Sequence, residues 1–121
     1  MKIIASEQIL YVDVDYTLLI WSADLQSGSP FYDPYEEKFK KVKIHYPHLE
    51  IVKDRLKRGA TIILHSQSGY EWAASAARCL GLDKEEKVIV MSKPIGYIDD
   101  KPCEKWMGDH INLDINDPYG S

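Results

Sequence analysis

The first clear pattern is the run of apolar and aromatic residues Ile9, Leu10, Tyr11 and Val12, followed by Val14. It is too short for a helix and rich in β-branched and aromatic types, so it predicts a buried strand. Three further short runs read the same way: "TIIL" at 61–64, "KVIVM" at 87–91 and "YI" at 97–98. Between them the apolar period lengthens to that of a helix. "HLEIVKDRLKRG" (48–59) places Leu49, Val52 and Leu56 on one stripe and stops at Gly59, while "SGYEWAASAARCLG" (68–81) places Trp72, Ala73, Ala76, Ala77 and Leu80 on one face. Ser68 and Glu71 have the spacing of a capping box for the second helix. Strands alternating with helices predict an α/β protein: a three-layer, Rossmann-like parallel sheet with flanking helices.

Residues 20–47 break this rhythm. Gly28, Pro30 and Pro34 mark a loop or short hairpin, and "YEEKFKKVKIHY" has irregular apolar positions that would suit a helix. A long insertion in a small domain is commonly a flap over a site, so 18–47 is assigned as a flap within a single domain covering 1–121.

Composition narrows the class. With 45% apolar and 28% charged residues, the 121-residue chain has the balance of an ordinary globular protein, and no apolar run reaches the ~20 residues of a membrane span. "MKIIASEQIL" lacks the uninterrupted apolar core of a secretory signal, so a cytoplasmic protein with no membrane partner is expected. Two cysteines without close spacing suggest reduced thiols, and the four histidines lack metal-ligand spacing. Net charge is −4, which disfavours a general nucleic-acid binder, although residues 38–58 hold about half of the fifteen Lys and Arg. That basic run is either a solvated face or a surface that attracts an anionic substrate.

Each inferred strand ends in a polar group: Asp13 and Asp15, then Ser66, then Lys93, then Asp99 and Asp100. In an open parallel sheet, ligands bind beyond the carboxyl ends of the strands, so these side chains are expected to converge. Alone, D-x-D is more often a turn than a site, and Thr17 and Leu18 do not fit a calcium loop. Together, three or four carboxylates repel one another and need a cation, and an all-oxygen set suits Mg²⁺. With Lys93, the Ser66 hydroxyl and a helix opening at Ser68, the group describes a phosphate site.

These residues also carry a family resemblance. "YVDVDYTLL", "IILHS", Lys93 in "SKP" and "YIDD" resemble, in order and rough spacing, the four motifs of the haloacid dehalogenase-like phosphatase superfamily, in a small form without a cap domain. The resemblance implies that Asp13 is a nucleophile carrying an aspartyl-phosphate and that Asp15 is the acid and base. It implies that Ser66 and Lys93 hold the phosphoryl oxygens, with Gln67 and Tyr16 beside the substrate. Mg²⁺ would sit on Asp13, Asp15 and Asp99, with Asp100 close by.

The implied activity is Mg²⁺-dependent hydrolysis of a phosphate monoester. Capless members act on large substrates with protruding phosphates or close the site by forming a homo-oligomer, so the substrate is either a small molecule or a macromolecule end. Tyr16 stands where the family commonly has Gly or Asn, so a bulky ring is expected at the entrance. Two alternatives are weighed against this reading: a non-catalytic binding or regulatory protein of the same fold, and a phosphatase acting on nucleic-acid 3′ or 5′ ends. Lys101 competes with Lys93 for the cationic role. His65 reads as a packed strand residue, Trp72 as core, and Trp21, Phe31, Tyr32 and Tyr35 as either cover for the site or local packing.

Overall fold

The computed structural model describes residues 8–22 and 27–113. In chain order the elements are β1 (Ile9–Asp13), β2 (Leu19–Ile20), β3 (Ser29–Asp33), β4 (Lys38–Ile44), α1 (Tyr46–Lys57), β5 (Thr61–Ser66), α2 (Tyr70–Cys79) and β6 (Val88–Ser92), followed by a 3₁₀ turn at Cys103–Lys105. The protein is α/β, with a three-stranded parallel sheet in the order β1-β5-β6 and a small antiparallel sheet in the order β2-β4-β3. No helix among the described residues is long and apolar enough to cross a membrane.

The parallel register decides which side chains share a face. Leu10 pairs with Ile62 and Val12 with Leu64, and Ile62 and Leu64 pair onward with Val88 and Val90. These even-numbered residues belong to or pack on the core, where they meet Leu49 and Val52 of α1 and Ala76 and Ala77 of α2. The opposite face starts from Ile9, Tyr11, Ile89 and Met91, all exposed. Two layers are therefore present among the described residues where three were expected.

The sheet is also one strand narrower than expected, for a local cause. The strand predicted at 97–98 does not form, and Ile95 and Ile98 are fully exposed. Pro94, Gly96 and Pro102 crowd this stretch, and prolines cannot donate to a ladder. Two apolar residues between such breakers gain too little from pairing.

Residues 29–44 are a hairpin, not a helix. Asp33 closes it by accepting the N–H groups of Tyr35 and Glu36 at 2.8 and 3.0 Å. Lys40 bonds the same carboxylate at 2.8 Å and Glu36 at 2.7 Å, while Lys38 lies 3.5 Å from Glu36. Lys40, helped by the backbone donors, holds the Asp33 carboxyl down at about 2. Part of the basic run thus serves the turn instead of facing solvent alone. On its inner side Phe31 is completely buried, edge-on to Trp21 at 5.1 Å and tilted on Trp72 at 4.8 Å. Burial of such a ring contributes about 3 kcal/mol, enough to fasten the hairpin to α2.

Both helices begin elsewhere than the sequence predicts. The first starts at Tyr46, because His45 caps it by accepting the N–H of His48 and Pro47 suits its first turn. The second starts at Tyr70 with Gly69 at its N-cap and no side-chain cap, so the Ser68–Glu71 box is not made. Gly69 has φ 104°, and a Cβ there would lie 2.8 Å from the Tyr35 hydroxyl, which itself donates to the Ser68 carbonyl. A left-handed backbone and the approach of Tyr35 both call for glycine.

Candidate active site

Asp13 ends β1, opposite His65 of β5, and His65 is opposite Met91 of β6. The three share the open face, and Lys93, two residues beyond Met91, falls on it as well. The β5–β6 ladder continues past its last pair, with the Lys93 N–H donating to the Ser66 carbonyl at 2.9 Å. From there the Lys93 ammonium reaches the Asp13 carboxylate, with Nζ 3.1 Å from Oδ1. Neighbouring strands lie ~4.8 Å apart, so bridging two of them takes a side chain as long as lysine. Lys101, the rival cation, lies on the exposed 93–113 stretch with its own N–H bound to Asp99.

The turn after Asp13 is closed by backbone bonds from Leu18 and Leu19 to the Val14 carbonyl, at 2.9 and 3.1 Å. It returns Thr17 over the strand end, where its hydroxyl donates to Asp13 Oδ2 at 2.9 Å. Both oxygens of Asp13 are therefore engaged, one by a cation and one by a neutral hydroxyl. Tyr16 occupies φ 60° in this turn. Gly or Asn would enter this left-handed region at lower cost than a bulky residue. Its ring is exposed and borders the cavity, as the sequence suggested.

Asp15 points to other partners. Its Oδ1 accepts the indole N–H of Trp21 at 2.8 Å and that of Trp72 at 3.1 Å. The two aspartates therefore line one cavity with separate surroundings. This cavity of about 460 Å³ is also lined by Lys93, His65, Tyr11 and His48, and is bordered by residues 110–112. His48 ties the C-terminal stretch to the turn, with Nδ1 2.7 Å from the Thr17 carbonyl and Nε2 accepting the Leu113 N–H at 2.7 Å.

The remaining candidates are placed differently from expectation. Ser66 is buried, its Oγ accepts the Ser68 N–H at 3.0 Å, and it does not line the cavity. It shapes the loop before α2, and Ser68 does not cap the helix as expected. Gln67 is exposed and also outside the cavity lining. Asp99 and Asp100 are exposed on the irregular stretch, and no group of three or more His, Cys, Asp or Glu among the described residues is arranged to hold a metal. The Mg²⁺ set of Asp13, Asp15, Asp99 and Asp100 is thus not gathered here, because the strand that was to carry the last two does not form.

Four participants escaped the sequence reading. Thr17 lay in the D-x-D-x-T pattern without a role, and the two indoles were read as core or cover. His65 was read as packing, yet its buried Nδ1 has no hydrogen-bond partner among the described residues. Burial, and then the nearby Lys93, pulls its pKa below the ordinary 6.5, with Asp13 opposing. The folded protein therefore resists a proton that the unfolded chain accepts. This contribution to stability is present above about pH 6.5 and is lost as pH falls through that value. Denaturant titrations of His65→Leu are expected to lose less stability between about pH 7 and 5.5 than those of the parent. Equal losses in the two proteins would discount the effect.

Comparison of the chain with protein-family models, curated proteins and solved structures gives no match.

Proposed function

We propose that this protein hydrolyses phosphate monoesters through a covalent aspartyl-phosphate on Asp13. The observation that carries the reading is the Lys93 ammonium 3.1 Å from the Asp13 carboxylate at the carboxyl end of a parallel sheet, beside an open cavity. Phosphoryl transfer asks a protein chiefly for positioning and for positive charge at the equatorial oxygens. A carboxylate nucleophile and an anionic ester repel each other, and Lys93 offsets that repulsion. Thr17 holds the turn so that Asp13 is presented in one orientation.

In the first step an Asp13 oxygen forms a bond to phosphorus while the ester P–O bond breaks. A proton passes from the Asp15 carboxyl to the leaving oxygen in the same step. In the second step Asp15 takes a proton from water, the water oxygen bonds to phosphorus, and the Asp13–phosphorus bond breaks to release phosphate. The carboxylates expected to bind Mg²⁺ do not come together among the described residues, so both steps are assigned to the chain's own groups.

The test is rapid acid quenching of the purified protein mixed with a panel of phosphate esters, with and without Mg²⁺, followed by mass analysis. The panel includes oligonucleotides with 3′- and 5′-phosphates. The expected result is turnover of at least one ester and a peptide containing Asp13 that is one phosphoryl group heavier. No turnover on the whole panel, or turnover with the phosphoryl group on another residue, would overturn the reading. A strict Mg²⁺ requirement would mean that Asp99 and Asp100 adopt another placement in the working enzyme.

A further inference from the structure

We propose that Trp21 and Trp72 are positioning residues that hold Asp15 by one oxygen and direct its proton to the other. The inference rests on the phosphatase reading for its role, and on hydrogen bonds alone for its geometry. Two indoles from separate elements, one just past β2 and one in the first turn of α2, donate to the same atom, Asp15 Oδ1. An indole N–H can only donate. An oxygen that accepts two such bonds has both lone pairs engaged, so a proton on this carboxyl resides on Oδ2. Among the described residues Oδ2 takes no hydrogen bond, and it is the atom left for the leaving group.

The rings that make this clamp are themselves fixed. Trp21 and Trp72 pack 5.8 Å apart, both contact Phe31, and Tyr35 stacks on Trp72 with an interplanar angle of 11°. Neither indole can swing away without disturbing the hairpin. The clamp also keeps Asp15 from competing with Asp13 for Lys93. One carboxylate carries the cation and acts as nucleophile, while its neighbour is held by neutral donors and handles the proton. The hairpin thereby supports the clamp, since Phe31 packs on both rings and Tyr35 on that of Trp72.

Trp21→Phe and Trp72→Phe retain most of the ring packing and remove only the donors. The readout is the single-turnover rate of phosphoryl-Asp13 formation with two esters, one leaving as an alkoxide and one as a nitrophenolate. Acid assistance matters for the first leaving group and little for the second. Each variant is expected to slow the alkyl ester about tenfold, the scale of one hydrogen bond to a charged acceptor, with KM and the nitrophenyl ester nearly unchanged. Equal slowing of both esters would overturn the positioning role, since general loosening of the fold affects both alike.

A second measurement is independent of activity. In ¹H–¹⁵N spectra, Asp15→Ala is expected to move the indole resonances of Trp21 and Trp72. That of Trp106, which donates to the Lys101 carbonyl, should stay in place. If either site indole stays in place, the clamp is overturned. If both move but the parent turns over no ester, the phosphatase reading and the catalytic role fall together while the clamp stands.

Discussion

Asp13→Asn is expected to lower turnover by roughly 10⁴-fold or more, with no phosphoryl-enzyme detectable after acid quenching. An amide oxygen is a poor nucleophile toward phosphorus, and among the described residues no second carboxylate is placed to substitute for it, because Asp15 is turned toward Trp21 and Trp72. The substitution nearly preserves shape and leaves Thr17 an acceptor, so the parent's fold should persist by circular dichroism. With the negative charge gone, Lys93 faces the cavity without its counter-ion, and inorganic phosphate is expected to bind no more weakly than to the parent. Retention of the parent's rate would remove Asp13 as nucleophile and the proposed mechanism with it.

Lys93→Met should lower kcat/KM by about 10²- to 10³-fold, the scale found when one preorganised donor is removed from a transferring group. Methionine keeps most of the lysine stem, so the crossing from β6 to β1 remains filled while the charge is lost. Asp13 then meets the substrate as an unshielded anion. Steady-state kinetics alongside Lys101→Met discriminate between the two lysines, because Lys101 lies on the exposed stretch and its variant should keep the parent's rate. The reverse pattern, with Lys101→Met crippled and Lys93→Met active, would move the phosphate site away from the geometry described above.

How much of this was legible in the sequence depended on how local each signal is. Three of the four inferred strands and both helices follow from short apolar runs and helical stripes, because burial of one face writes itself into the residue pattern. A short hairpin was one of two readings around 28–34, but its second strand did not follow. Lys38, Lys40 and Lys43 make β4 look solvated, and only its pairing with β3 reveals that Lys40 serves Asp33 and Glu36 across the turn. Strand preference depends on such neighbours more than helix preference does. The "YI" run failed for the opposite reason, because an apolar pair looks like a strand until the breakers around it are weighed.

The site divides along the same line. Asp13, Asp15 and Lys93 follow directly strand ends that are visible in the chain, and their nearness comes with the parallel register. Ser66 was misjudged because its hydroxyl partner, the Ser68 N–H, exists only once the loop has closed. The indoles pack as read, but the partner of their N–H groups was not legible because the tertiary structure chooses it, 57 positions apart for Trp72 and Asp15.

Among the described residues the parallel sheet is covered by helices on one side, which bears on how such a protein can change. Leu10, Val12, Ile62 and Leu64 face the helices, whereas Asp13, His65 and Lys93 lie on the bare side. The cavity draws on both sides, with Tyr11, Asp13, His65 and Lys93 from the bare one and Leu10, Val12 and Val52 from the covered one. Tyr11 is the β1 residue that is at once exposed and in the cavity wall, so its side chain can be exchanged to reshape that wall at little cost to the interior.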